Sequence, residues 1–102
     1  MQLSDYQEGI KEFRLPSATE EYVAFGFIGE IGELYSKVAK SIRDGKMYEQ
    51  EEIHAELGDI LWFIAALATD LGANLNTVAT NNLAKLASRK ERNTIQGSGD
   101  DR

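Results

Sequence analysis

The 102-residue sequence predicts an all-α fold: an antiparallel helical bundle of about four helices, assembled as a homo-oligomer. Three observations carry that reading. The chain has a single proline, its long central segments lack turn residues, and apolar residues recur at intervals of three and four. A first helix fits about Leu3 to Phe13 and must end before Pro16. Ser17 followed by Glu20 has the spacing of a capping box, so a second helix runs from about Thr19 to Arg43 and stops at Asp44-Gly45. A third runs from about Glu49 to Leu71 and ends at Gly72. Asn74 or Asn76 caps a fourth, from about Leu75 to Glu91. Residues 1–92 thus form one domain, and Asn93 with the glycines after it reads as an extended tail over 93–102.

Helical spacing marks the faces. Val23, Phe27, Ile31, Leu34, Val38 and Ile42 form the apolar stripe of the second helix, and Ile53, Leu57, Ile60, Ile64, Leu67 and Leu71 that of the third. Short connections favour antiparallel neighbours. The core that so few narrow stripes provide is small, so self-association as a homodimer or homotetramer is expected.

Composition excludes several function classes. With 17 acidic and 11 basic residues the net charge is −6, which argues against a general nucleic-acid binder. No cysteine is present, so disulfides, thiolate zinc sites and a Cys nucleophile are excluded, and one histidine cannot make an all-histidine metal site. No apolar run is long enough to cross a membrane, and Met1-Gln2-Leu3-Ser4-Asp5 lacks the basic and apolar regions of a signal peptide. The expectation is a cytoplasmic protein with neither a membrane nor a nucleic-acid partner.

The acids are the informative residues. At about 100° per residue, Glu56 falls inside the apolar arc of the third helix and Asp59 at its edge. On the second helix Glu30 and Glu33 stand three apart, with Glu30 bordering the apolar stripe. Side chains at i and i+3 are neighbours, so each pair converges, and antiparallel packing would bring all four together. Buried carboxylates must be protonated, paired or bound to a cation. Four oxygen donors without His or Cys suit magnesium, with manganese also fitting. Lys37, one turn beyond Glu33, can pair with only one of them. Single Glu-x-x-Glu spacings are usually solvated helix faces, and Glu49, Glu51 and Glu52 read as an acidic first turn favoured by the macrodipole. Two such pairs on consecutive helices, both against apolar stripes, are less common.

The fourth helix carries the opposite sign. Asn82, Lys85, Arg89 and Arg92 line one edge of its apolar face, either as a solvated rim or as a clamp for phosphate oxygens. Trp62 lies opposite the core arc, as an interface anchor or a stacking surface. Phe63 flanks Asp59 and is read as core, with a base pocket as the other option. His54 falls away from the acids. Gly26, Gly29 and Gly32 imply close approach, by a crossing helix before a substrate. Asp100-Asp101-Arg102 has no local reason to be ordered, and either frays or folds over a neighbouring subunit.

Gly29-Glu30-Ile31-Gly32-Glu33-Leu34 followed by Glu56-Leu57-Gly58-Asp59-Ile60-Leu61-Trp62 resembles the paired acidic motif of the MazG-like, all-α nucleoside triphosphate pyrophosphohydrolases. The resemblance extends from about Phe25 to the chain end, through Asn82-Leu83-Ala84-Lys85-Leu86-Ala87-Ser88-Arg89 and Gly97-Ser98-Gly99-Asp100-Asp101-Arg102. It implies a bundle that is at least dimeric, binds magnesium through Glu30, Glu33, Glu56 and Asp59, and splits a nucleoside triphosphate into monophosphate and pyrophosphate. Many members carry another Glu just before the position of Glu30, where this chain has Gly29, so either Glu33 or Glu30 is left to orient the attacking water. Lys85 and Arg89, with Lys37 and Arg92, would then hold the β- and γ-phosphates, and Asn82 a phosphate or sugar oxygen. The rival of another class is a non-catalytic helical oligomer that binds nucleotide or a protein partner. A third option keeps the chemistry and narrows the substrate, to dUTP, dCTP or phosphoribosyl-ATP.

Overall fold

The computed structural model describes residues 1–102 and is entirely helical. Helix α1 spans Leu3–Gly9 and runs on as a 3₁₀ turn over Ile10–Phe13; α2 spans Glu20–Asp44, α3 Gln50–Asp70 and α4 Leu75–Glu91. No helix is long and apolar enough to cross a membrane.

Local chemistry sets the ends. The Thr19 hydroxyl accepts from the Tyr22 amide at 3.3 Å and so caps α2. Ser17, expected to cap this helix, lies two residues too early. Gly45 closes α2 in the left-handed region at φ 65, where a side chain would be strained, and the Lys46 amide returns to the Ser41 carbonyl. Asn74, rather than Asn76, caps α4, accepting from the Asn76 amide at 2.8 Å. Asn76 instead fastens α4 to α1, accepting from the Ser4 amide and donating to the Ser4 hydroxyl.

Helices α2 and α3 form an antiparallel hairpin, Gly26 lying against Phe63 and Lys37 against Glu56. The face of α3 turned inward is not centred on the expected stripe. Phe63, Ala65, Ala66 and Ala68 are buried with Glu56, whereas Leu57, Ile64 and Leu71 are exposed. Small alanines let neighbouring helices approach, and the Phe63 ring fills the space that Gly26 leaves. A Cβ at Gly26 would stand 2.4 Å from that ring, so this glycine meets the close crossing expected of all three. Gly29 and Gly32 face open space. On α2, Ile42 is likewise exposed.

The bundle expectation needs correction in its topology. α1 packs on α3 and α4, while α4 rests mainly on α1 and does not complete a four-helix layer with α2 and α3. Gln7, a buried amide on α1, explains this placement. It donates to the Ala73 carbonyl at 2.8 Å and the Thr69 hydroxyl at 3.1 Å, and accepts from the Leu75 amide at 2.8 Å. Arg14 adds a two-pronged ion pair with Asp70 at 2.8 and 3.0 Å. The resulting chain is open: its radius of gyration is 16.7 Å, against about 13 Å for a compact domain of this length.

The tail is not extended. Arg102 turns back to donate to the carbonyls of Thr94, Ile95 and Gly99, and Asp100 meets Lys85 and Arg89 at 3.1 and 3.3 Å. Glycines at 97 and 99, both at positive φ, permit the reversal. The order that local sequence did not suggest comes from carbonyls and cations that this reversal satisfies.

Candidate metal centre

Each carboxylate is positioned by the α2–α3 hairpin. Glu30 and Glu33 project from successive turns of α2, and Glu56 from the buried face of α3, so that one oxygen of each lies within 4.8 Å of the others. Asp59 lies outside that trio and is exposed. It still shares a cleft of about 280 Å³ with Glu30, Trp62 and Phe63. Sequence spacing thus brings three acids into direct contact range and leaves the fourth one turn along, where its charge still bears on Glu30.

The trio is short of positive charge. Lys37 pairs with Glu56 Oε1 at 3.2 Å, and this contact raises the Lys37 pKa above its ordinary value. Glu56 Oε2 and Glu30 Oε2 are both buried and have no hydrogen-bond partner. Burial first, then the charges of Glu33 and Asp59, with Glu56 beside it, push the Glu30 carboxyl up from 4.5 to about 7. Orphaned buried oxygens in an all-oxygen cluster are the property expected of ligands to a hard divalent cation, and these residues fit magnesium or manganese.

A pH dependence follows from Glu30. Its folded pKa is raised, so between about 4.5 and 7 the folded chain keeps a proton that the unfolded chain has released. This group's contribution to stability is therefore present at acid pH, falls as pH rises through that window, and is flat above about 7. A cation must displace the same proton, so its affinity has the opposite trend. Thermal melts from about pH 5 to 8 should show magnesium stabilising progressively more as pH rises to 7, with Glu30→Gln flattening the trend. A magnesium effect independent of pH would remove Glu30 from the ligand set.

The α4 residues are not part of this cluster. Lys85 and Arg89 are engaged by Asp100, whose carboxyl they hold below its usual range. Arg89 is buried, with its Nε unpartnered. Arg92 donates to the Ser88 hydroxyl and the Arg102 carbonyl, and Asn82 is exposed. The expected stripe therefore faces the tail and not the carboxylates, because α4 sits on α1.

Tyr6 is a neighbour that sequence spacing did not single out. Desolvation, then the nearby Asp59 charge, raises its phenol pKa, and Tyr6 shares a cavity wall with Trp62, which also lines the cleft of Glu30 and Asp59. Its docking on α3 depends on long-range contacts such as Gln7 with Thr69, which helical periodicity does not encode.

The chain is 48% identical over 85 residues to the Gene 37 protein of Mycobacterium phage L5, covering 79% of this chain and 75% of that protein. It is 28% identical over 104 residues to the uncharacterized protein YvdC of Bacillus subtilis (strain 168), covering 89% of this chain and 98% of that one. No solved structure matches it. The MazG nucleotide pyrophosphohydrolase domain matches residues 18–94, a stretch that includes all four acids. The chain belongs to the MazG nucleotide pyrophosphohydrolase domain family.

Proposed function

We propose that the protein is a magnesium-dependent nucleoside triphosphate pyrophosphohydrolase that cuts between the α- and β-phosphates, releasing monophosphate and pyrophosphate in the cytoplasm. The observation that carries this reading is the acidic trio with its two orphaned buried oxygens. Glu30, Glu33 and Glu56 would hold the cation, with Asp59 completing the set. A bound magnesium or manganese ion supplies neutralisation of phosphoryl charge and an acidified water.

The protein's own groups do the rest. Glu33 is exposed, whereas Glu30 and Glu56 turn oxygens into the interior, so the Glu33 carboxylate is the better placed to orient water and accept its proton. Lys37, held at the trio by Glu56, is positioned to meet a phosphate oxygen. Lys85, Arg89, Arg92 and Asn82 reach the nucleotide only across an assembly, because within one chain they lie apart from the acids.

Assembly is part of the proposal. Only 10 of 102 residues are buried, and Tyr22, Phe25, Ile28 and Tyr35 lie exposed along α2. So much uncovered apolar surface favours a homodimer or homotetramer, which sedimentation would reveal.

The test is a panel of NTPs and dNTPs incubated with pure protein and magnesium. Monophosphate and pyrophosphate are the expected products. Diphosphate and inorganic phosphate would overturn the cleavage point. A calorimetric titration without a saturable magnesium site would overturn the metal assignment and favour a non-catalytic binding protein.

A further inference from the structure

We propose that the apolar cavity between the N-terminal segment and α3 receives the nucleobase, and that Asp5 favours bases bearing an exocyclic amino group. This rests on the pyrophosphohydrolase reading above. The cavity measures about 340 Å³, within the range of small-molecule sites, and its walls include Tyr6, Ile10, Phe13 and Trp62. Its position is the argument. Trp62 lines both this cavity and the cleft that holds Glu30 and Asp59. Asp59 and Trp62 are neighbours on α3, and the Asp59 charge reaches Tyr6. The apolar space therefore begins where the carboxylates end.

A nucleotide has the matching polarity, with charged phosphates at one end and a flat, weakly polar ring at the other. Lys37 marks the opposite side of the acids, against Glu56 one turn before Asp59. The phosphates accordingly extend toward Lys37 and the base toward Trp62, whose ring is braced edge-on by Phe63 at 5.1 Å between centroids. Asp5 is the one charged side chain in the wall. One of its oxygens takes the Gln2 amide, which leaves the other to accept. A carboxylate accepts from the amino groups of cytosine or adenine and repels the carbonyl that uracil or thymine presents instead. Apart from Trp62, the lining residues precede the segment matched by the family, so recognition here is built by this chain's own N-terminal segment.

Trp62 is the sole tryptophan, so its fluorescence reports on the cavity directly. The full-length protein would be titrated with dCMP, dUMP and inorganic pyrophosphate in magnesium. Saturable change in Trp62 emission is expected with dCMP, weaker binding with dUMP, and no change with pyrophosphate. Phe13 is 72% exposed, so Phe13→Ser should fold; it should weaken dCMP about tenfold while leaving calorimetric magnesium binding unaltered. Asp5→Asn should remove the preference for dCMP over dUMP. The proposal is overturned by dCMP binding that leaves Trp62 emission unchanged, by equal dCMP affinity in Phe13→Ser, or by a Phe13→Ser protein that loses only its oligomeric state, which would assign the cavity to a second copy. Hydrolysis with the same KM in parent and Phe13→Ser defeats the base pocket alone. Absence of both magnesium binding and hydrolysis in the parent defeats the underlying reading.

Discussion

Glu56→Gln should abolish saturable magnesium binding and lower triphosphate turnover on the order of 10²- to 10³-fold, the scale of losing one main charge-stabilising group. The substitution keeps the shape of a residue only 7% exposed and removes its charge. It takes a negative charge from the acidic trio and leaves Lys37 without its partner at 3.2 Å. A folding defect is separable from a chemical one. Far-ultraviolet circular dichroism of the metal-free variant should match the parent, since an amide still fits the site. Near-parental turnover in Glu56→Gln would take this residue out of the centre and, with it, the convergence of α2 and α3 acids on one ion.

Phe63→Ala should cost about 3–5 kcal/mol in urea unfolding, the range for emptying a large buried aromatic site. Domains of this kind hold only about 5–15 kcal/mol in total. Phe63 is the one large aromatic in the buried core, and it contacts α2 through Gly26 while stacking edge-on against Trp62. The reverse change is informative as well. Gly26→Ala gains up to about 1 kcal/mol of helix propensity but overlaps the ring, a clash costing about 1–3 kcal/mol. In a Phe63→Ala background the clash has no partner, so Gly26→Ala should become stabilising. Additive effects of the two substitutions would show that the glycine does not serve the ring.

Local signals in the chain carried the helices well and their arrangement less well. Apolar spacing, Gly45 and Gly72 mark the same helices that the structure contains, because left-handed glycines and caps act within a few residues. The inward face of α3 departs from the helical wheel because the wheel favours large residues, whereas packing against α2 uses alanines and one aromatic ring opposite a glycine. Three of the four acids were placed together by i and i+3 spacing combined with an antiparallel turn. The α4 cations failed that logic, since their position depends on Gln7 and on a tail that bends back, both non-local. Tyr6 likewise reaches the site through the non-local docking of α1.

The Gln7 amide also has a kinetic consequence. Its partners are 62 to 68 residues away, so α1 and α4 are expected to dock later than the local α2–α3 hairpin forms, an order that φ-values would check. The two chain ends are thereby joined into one cooperative opening unit, and amide protons in α1 and α4 should exchange together, faster than those at the centre of α3. Substrate recognition by the N-terminal segment would then respond to distant changes in α4 through a shared opening equilibrium within one chain.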